Sequence, residues 1–371
     1  MKNNSLKQLE TFGQSIWLDY IRRDLITSGE LRRLIEEDGL QGMTSNPSIF
    51  EKAIAESHFY DEEIRAMSLK NKDAKAIYEA LSQQDVQNAA DAFRTLYERT
   101  DGKDGYVSLE VNPQLARDTR GTIQEARRLW AALNRPNVFI KVPATSAGIP
   151  AIQQLISEGI NINVTLLFGL PRYRQVAEAY LAGLEARAAQ GKSLKRVASV
   201  ASFFLSRIDT LVDSLLDKPN AGGDKSIIEK IRGQTAIASA KEAYQIFKQI
   251  FGSERFKKLA THGARVQRLL WASTGTKNPA YSDVKYIEAL IGPDTVNTFP
   301  IETLNAYREH GEPTASLEKD VTDAARLLKH LPLLGISIDQ VTQQLEDEGI
   351  EKFIKPFAQL MESLTTASSR Q

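Results

Sequence analysis

The run Asn137-Val138-Phe139-Ile140-Lys141-Val142-Pro143-Ala144-Thr145 places one charged residue among apolar and β-branched neighbours. Strand residues alternate between two faces, so Lys141 shares a face with Phe139. An ammonium group on a buried face is costly unless it is paired or neutral. We therefore expect burial to favour the neutral amine, which can attack a ketone and form a Schiff base. A strand-end lysine that extends its charge into solvent is the structural alternative.

This strand pattern recurs along the chain and alternates with helical patterns. Such alternation is typical of a parallel sheet or barrel, and eight units favour closure. We predict an α/β fold, a closed (β/α)8 barrel of the TIM type with additional N- and C-terminal helices. The eight predicted strands are residues 15–21, 42–46, 106–111, 138–142, 162–168, 196–203, 268–273 and 295–299.

The helical patterns and chain ends predict a single domain over residues 1–371. We expect an N-terminal helical segment (1–14), the barrel (15–336), a C-terminal helix on the outside of the barrel (337–364) and a flexible tail (365–371). Ser337 and Gln340 give that helix a capping-box start, whereas Gly349 and Pro356 are expected to interrupt it. Residues 216–224 are expected to form an exposed loop. The clearest helical stretches between strands are residues 85–98, 122–133, 172–189 and 234–251.

Composition narrows the classes of function. The 371-residue chain has 47 basic and 47 acidic residues, so its net charge does not indicate a nucleic-acid or membrane partner. It has no cysteine, and its four histidines never approach metal-ligand spacing, so we expect no metal or other cofactor. No signal-peptide pattern or long apolar run is present, which favours a cytoplasmic location.

Polar residues recur near the C-terminal ends of the predicted strands. The interior of such a barrel is normally filled by apolar side chains, and its chemistry lies at this end. Each residue taken alone has a structural explanation, because Asp, Asn and Ser often cap the following helix. Together they indicate one polar mouth. The residues are Asp19, Asn46, Glu110, Lys141, Asn163, Thr165, Ser202 and Ser273.

The chemistry available to this mouth is coherent. A Schiff-base lysine requires groups that move protons, and Glu110 and Asp19 are the carboxylates present. An ion pair between Glu110 and Lys141 is the non-catalytic alternative. Neutral side chains such as Asn46, Asn163 and Thr165 are suited to binding hydroxyl groups or a water molecule.

Two basic residues follow strands and are candidates for binding phosphate. Arg207 lies five residues after Ser202, and Lys277 lies four residues after Ser273. Scattered surface charges are the alternative for both. A glycosidase that pairs Asp19 with Glu110 also fits these residue types, but it leaves Lys141 unexplained.

The ordered motifs resemble those of the transaldolase family over nearly the whole chain, including its longer microbial subfamily. The matching runs are Thr44-Ser45-Asn46-Pro47-Ser48, Val107-Ser108-Leu109-Glu110-Val111, Ile140-Lys141-Val142-Pro143-Ala144-Thr145, Asn163-Val164-Thr165-Leu166-Leu167-Phe168, Val200-Ala201-Ser202-Phe203-Phe204-Leu205-Ser206-Arg207 and Trp271-Ala272-Ser273-Thr274-Gly275.

The resemblance implies transfer of a dihydroxyacetone unit between sugar phosphates in the pentose phosphate pathway. Lys141 would form the Schiff base, Glu110 and Thr165 would manage a catalytic water, and Asp19 would take the C4 hydroxyl proton. The remaining implied contacts come from Asn46, Asn163, Ser202 and the phosphate-binding Arg207. One position departs from the family pattern, because Gly275 stands where a second phosphate arginine is expected and Lys277 is its candidate replacement.

Two other functions remain open from the sequence. The first is a fructose 6-phosphate aldolase that releases free dihydroxyacetone, although such enzymes typically have tyrosine at the place of Phe204 and are much shorter. The second is a barrel that binds sugar phosphates without catalysis. The sequence does not decide between a monomer and a homodimer, nor the preferred substrates, regulation or the role of the 216–224 loop.

Overall fold

The computed structural model describes residues 4–55, 57–218 and 225–369. Eight parallel strands close into a barrel in the order in which they occur in the chain. The predicted barrel and all eight predicted strands are therefore confirmed, with ends that differ by a few residues. The strands are β1 (Gln14–Asp19), β2 (Gly42–Thr44), β3 (Tyr106–Glu110), β4 (Val138–Pro143), β5 (Ile162–Leu167), β6 (Ser199–Phe204), β7 (Arg268–Ala272) and β8 (Thr295–Phe299).

Helices surround the barrel, and further helices precede β1 and follow β8 in the chain. The predicted 85–98 helix is two helices, Ala74–Ala92 and Arg94–Arg99, which meet at Phe93. The helices are α1 (Ser5–Thr11), α2 (Arg23–Thr27), α3 (Glu30–Glu37), α4 (Pro47–Ala55), α5 (Asp61–Ser68), α6 (Ala74–Ala92), α7 (Arg94–Arg99), α8 (Thr119–Leu133), α9 (Gly148–Glu158), α10 (Leu170–Ala189), α11 (Ser206–Leu216), α12 (Lys225–Ile231), α13 (Thr235–Phe251), α14 (Glu254–Ala260), α15 (Lys285–Glu288), α16 (Ile301–His310), α17 (Val321–His330) and α18 (Ile338–Ser369), with short 3-10 turns at Pro113–Leu115 and Leu331–Leu334.

Aromatic side chains fill the barrel interior on the N-terminal side of Lys141. The ring of Phe139 stacks on Tyr106 with 4.3 Å between centroids and lies 5.9 Å from the ring of Trp17 on β1. Because β1 and β4 are not neighbours, the contact with Trp17 crosses the barrel interior. Phe139 therefore points inward, and Lys141, two residues later on β4, points inward one layer higher.

A buried ion pair closes the N-terminal end of the barrel. Arg268 on β7 contacts Asp104 at 2.9 Å, and both side chains are more than nine-tenths buried. The guanidinium also donates to Ser15 Oγ at 2.7 Å and to the Lys103 carbonyl oxygen at 2.6 Å. Because its polar atoms are shared among these partners, the charge is tolerated in a dry environment.

The C-terminal helix α18 lies across the C-terminal mouth of the barrel, whereas we expected it on the outside. It packs on α4, which follows β2 directly, and on the end of β5. It also runs through Gly349 and Pro356, so the expected interruption is wrong. Proline removes one helical hydrogen bond, but the buried Phe353 and Phe357 on either side of it anchor the helix.

The predicted chain ends and loop have mixed outcomes. Ser337 Oγ accepts a hydrogen bond from the Gln340 amide, as the capping pattern predicted. The tail predicted from Thr365 is helical as far as Ser369. Residues 219–224 of the predicted loop and residues 370–371 lie outside the described residues. In the part of the chain that the structure describes, no helix is long and apolar enough to cross a membrane.

Replacing Gly42 with alanine is expected to destabilise the barrel. A Cβ at Gly42 would lie 2.6 Å from the indole of Trp17, which is fully buried and has no room to move. Overpacking of this kind typically costs about 1–3 kcal/mol of the free energy of unfolding. Denaturant unfolding of Gly42→Ala should show this loss, and the loss should shrink when Trp17 is also replaced by phenylalanine. An equal cost in both backgrounds would contradict the steric explanation.

Candidate active site

A cavity of about 160 Å³ lies at the C-terminal mouth of the barrel, and most of the predicted site residues line it. The sequence separates these residues by more than 250 positions, and the barrel brings them together. We expected Asn46 and Ser273 to end their strands, but both residues lie just after the strand ends. The predicted residues that line this cavity are Asp19, Asn46, Lys141, Ser202, Phe204, Arg207, Ser273 and Lys277.

Lys141 projects from β4 into this cavity and is only 4% exposed. Its Nζ donates a hydrogen bond to the Ser45 carbonyl oxygen at 3.1 Å and lies 3.6 Å from Glu110 Oε2. The alternative in which the lysine reaches solvent is therefore wrong. The amine is held by a neutral carbonyl and a carboxylate, with one face open to the cavity.

Glu110 is the carboxylate next to Lys141, because the two residues are directly paired between β3 and β4. Burial raises the pKa of Glu110 to about 7, although Lys141 acts in the opposite direction. Neither carboxylate oxygen has a hydrogen-bond partner within the protein. A small cavity of about 20 Å³, also lined by Tyr78 and Phe357, lies against this side chain and is large enough for one water molecule.

Asp19 ends β1 at the opposite side of the mouth. Its Oδ1 accepts a hydrogen bond from Thr44 Oγ1 at 2.6 Å, and that hydroxyl lies 3.0 Å from Thr298 Oγ1. The two threonines fix the orientation of the carboxylate, and both line the cavity. We did not single out Thr44 or Thr298 from the sequence as site residues. Thr44 ends β2, just before the predicted Asn46, whereas β8, which carries Thr298, has no predicted site residue.

Asn163 and Ser202 form a hydrogen-bonded chain beside the lysine. Asn163 is paired with Lys141 between β4 and β5, and it is fully buried. Its amide nitrogen donates to Ser108 Oγ at 3.1 Å, and its oxygen accepts from Ser202 Oγ at 2.7 Å. Of these three residues, Ser202 lines the cavity and is therefore the member nearest to a ligand.

Thr165 lies next to an irregularity in β5. The β5–β6 register shifts between Val164 and Leu167, and Leu166 has a positive φ of 53°. Bulges of this kind redirect neighbouring side chains, and a branched residue with positive φ is strained. The Thr165 hydroxyl is fully buried and has no hydrogen-bond partner.

Arg207 begins the helix that follows β6 and lies at the edge of the cavity. Its guanidinium is 5.6 Å from the centre of the Phe204 ring, which in turn packs on Phe168 at 5.2 Å. Its Nη1 is buried without a hydrogen-bond partner. Burial lowers the pKa of Arg207 below its ordinary value, partly offset by the negative charges of Asp19 and Glu348.

Three further predicted residues, Ser273, Lys277 and Asn46, line the cavity in different structural settings. Ser273 has a positive φ of 56°, and its hydroxyl lies 2.9 Å from that of Ser206 at the start of α11. Lys277 is exposed on the loop after β7. Asn46 caps α4 by accepting from the Ile49 amide at 3.1 Å, so its structural explanation holds while it also lines the cavity.

Phe353 is a site residue that sequence reasoning missed. It lies on α18, and its ring centre is 5.8 Å from Lys141 Nζ. In the sequence it belongs to an apolar helical stripe, which indicates burial but not the surface that is buried. Only the placement of α18 over the mouth reveals this contact.

Other cavities lack this chemistry. Two larger ones, of about 330 and 420 Å³, lie at the N-terminal end of the barrel, where Tyr106 and Ala198 line both. They contain none of the predicted site residues, and barrel enzymes carry out their chemistry at the opposite end. Among the described residues, no group of three or more His, Asp or Glu side chains is arranged to hold a metal ion.

Comparison with known proteins agrees with this geometry. The family model described as transaldolase/fructose-6-phosphate aldolase matches residues 16–364. A transaldolase of Trichodesmium erythraeum is 50% identical over 370 residues, which cover 98% of this chain and 97% of that protein. A transaldolase of Thiobacillus denitrificans is 46% identical, covering 96% and 99% respectively. Another, from Thermobifida fusca, is 45% identical and covers 96% of each chain.

The matched region begins at the third residue of β1, includes β2 to β8 and covers most of α18. The similarity therefore extends over the barrel and the helix that covers it. The chain belongs to the transaldolase/fructose-6-phosphate aldolase family.

Proposed function

We propose that this protein is a transaldolase, a transferase that moves a dihydroxyacetone unit from a ketose phosphate to an aldose phosphate. Sedoheptulose 7-phosphate and glyceraldehyde 3-phosphate would yield erythrose 4-phosphate and fructose 6-phosphate. One observation carries the proposal: Lys141 is buried beside Glu110, whose oxygens have no hydrogen-bond partner, and it lines a cavity that Arg207 also lines. Family membership and the full-length similarity to transaldolases support the same reaction.

The first step joins the donor to Lys141. The amine attacks the C2 carbonyl carbon, and loss of water from the carbinolamine gives a protonated imine. Glu110 and Thr165 are assigned to the water molecule that leaves and later returns, because their side-chain oxygens have no hydrogen-bond partner in the protein. A glutamate with a pKa of about 7 can both give and accept a proton at neutral pH.

The second step breaks the C3–C4 bond. Asp19, oriented by Thr44, takes the proton from the C4 hydroxyl, and the bonding electrons move into the imine. An aldose phosphate leaves, and an enamine remains on Lys141. Ser202, held by Asn163, and Asn46 are assigned to the hydroxyl groups of the retained three-carbon unit.

The enamine then attacks the aldehyde carbon of a second aldose phosphate. The oxygen of that aldehyde takes the proton from Asp19 and becomes a hydroxyl. Water then adds to the imine carbon, and breaking of the C–N bond returns the Lys141 amine. Arg207 is assigned to the phosphate because its Nη1 has no protein partner. Lys277 is the second candidate, and as an exposed point charge it contributes less.

The reaction places the protein in the pentose phosphate pathway, and we expect it in the cytoplasm. Its partners are small sugar phosphates. A monomer and a homodimer both fit this function.

Incubation with fructose 6-phosphate and borohydride should trap a dihydroxyacetone-sized adduct on Lys141. Peptide mass spectrometry locates the adduct, while an assay with erythrose 4-phosphate measures formation of sedoheptulose 7-phosphate. Lys141→Ala should remove both the adduct and the transfer without loss of the fold. Lys241→Ala, at a buried lysine outside the cavity, is the matched control. An active Lys141→Ala protein would disprove the mechanism, and an adduct with release of free dihydroxyacetone alone would indicate an aldolase.

Activity should fall as the pH decreases through about 7, because protonation of Glu110 removes the base. A pH profile of kcat/KM should show this inflection in the native protein. Glu110→Gln should lower kcat and lose the inflection. An unchanged inflection in that variant would assign it to another group.

The same shift predicts how stability depends on pH. A carboxyl whose pKa rises on folding keeps its proton in the folded protein at pH values where the unfolded chain has already released it. The free energy of unfolding should therefore decrease as the pH rises from about 4.3 to about 7. Glu110→Gln should flatten this part of the curve, as measured by denaturant unfolding at several pH values. An identical slope in both proteins would contradict the raised pKa of Glu110.

Arg207→Ala should raise KM for fructose 6-phosphate by about tenfold or more, since a charged hydrogen bond contributes about 1.5–3 kcal/mol. Turnover of unphosphorylated fructose should change little. Lys277→Ala should raise KM less, and Lys192→Ala, an exposed lysine outside the cavity, should leave it unchanged. Equal loss with both sugars after Arg207→Ala would argue against a phosphate contact.

A further inference from the structure

Phe353 brings an aromatic ring from the C-terminal helix to the reacting lysine. The ring lines the cavity, is 4% exposed, and has its centre 5.8 Å from Lys141 Nζ. The other groups around Nζ are the Ser45 carbonyl and the Glu110 carboxylate. Phe353 is therefore an apolar surface close to a nitrogen otherwise contacted by polar groups.

The position of this ring is fixed by the way α18 is held on the barrel. At Gly349 the helix approaches β5 so closely that a Cβ would lie 2.9 Å from Leu166 Cδ2. Glu346 forms a largely buried ion pair with Arg172 at 3.1 Å on α10. These contacts lie one to two turns before Phe353.

The helix is also anchored on the other side of Phe353. The Phe357 ring packs edge-on against Tyr78 of α6 with 5.5 Å between centroids, and Leu360 is fully buried. A side chain braced on both sides along its helix keeps its place over the mouth. Such rigidity allows it to control which molecules reach the lysine.

The enamine of the proposed reaction has two fates. In transfer, its nucleophilic carbon forms a bond with the acceptor aldehyde carbon, and the aldehyde oxygen takes a proton. In release, the same carbon takes a proton from a water molecule, and the hydroxide left behind takes the proton that Asp19 had received from the C4 hydroxyl. In both cases water then adds to the imine carbon, and the C–N bond breaks to free Lys141. The balance between the two fates depends on how well water is kept from the enamine.

We propose that Phe353 is a specificity-determining residue that keeps water from the enamine and so favours transfer over release of free dihydroxyacetone. This inference rests on the proposed transaldolase function. It assigns to the apolar ring the exclusion of solvent from the part of the site next to Lys141 Nζ, where the other contacts are a carbonyl and a carboxylate. The size and apolar character of the side chain matter, whereas its aromatic character does not.

The test compares the ratio of free dihydroxyacetone to transferred product in four variants and the native protein. The substrates are fructose 6-phosphate and erythrose 4-phosphate, and both products are quantified from the same reaction. Phe353→Ala should raise the ratio about tenfold, because the opened space admits water. Phe353→Gln, polar and of intermediate length, should also raise it. Phe353→Leu, which preserves an apolar cover, should restore a nearly native ratio.

Leu360→Ala controls for loosening of the helix. Leu360 is buried on the same helix but does not line the cavity, so this variant should keep the native ratio even if its stability falls. An equal increase in Leu360→Ala, or a native ratio in Phe353→Gln, would overturn the inference. Measurements on the native protein distinguish this outcome from failure of the proposed function. If the native protein showed neither transfer nor a borohydride-trapped adduct, the transaldolase function itself would be disproved.

Discussion

The burial of the Lys141 amine beside Glu110 is the interaction on which the site depends. A buried ammonium and a buried carboxylate are each costly, and each reduces the cost of the other. The pair is not fully satisfied, because both Glu110 oxygens lack hydrogen-bond partners and the pKa of the carboxyl rises to about 7. Incomplete satisfaction of this kind is typical of groups that exchange protons with a substrate.

Closure of the barrel positions the buried pair of Lys141 and Glu110. Pairing of Glu110 with Lys141, and of Lys141 with Asn163, places three polar residues in one layer on adjacent strands. Below them the aromatic layer of Trp17 and Phe139 fills the interior, and the Arg268–Asp104 pair closes the far end. The lysine faces the cavity at the mouth, and α18 covers part of that opening.

Much of this architecture could be predicted from local pattern. Alternation of strand and helix periodicity identified all eight strands, since that periodicity is written in neighbouring residues. Polar residues near strand ends identified Asp19, Lys141 and Ser202 as members of one mouth, because parallel strands in a barrel share a common end. The position of a basic residue after a strand identified Arg207, and the motif resemblance added Phe204; both line the cavity. Family membership followed from the same ordered motifs.

The sequence by itself determined the barrel, the lysine on β4 and most of the polar residues around it. Only the tertiary structure decided that α18 crosses the mouth, that it continues through Pro356, and that Phe353 faces Lys141. It also showed which oxygens of Glu110 and Thr165 are left without partners. The physical reason is range: periodicity encodes which face of an element is buried, whereas the surface that covers it depends on contacts between residues far apart in the chain.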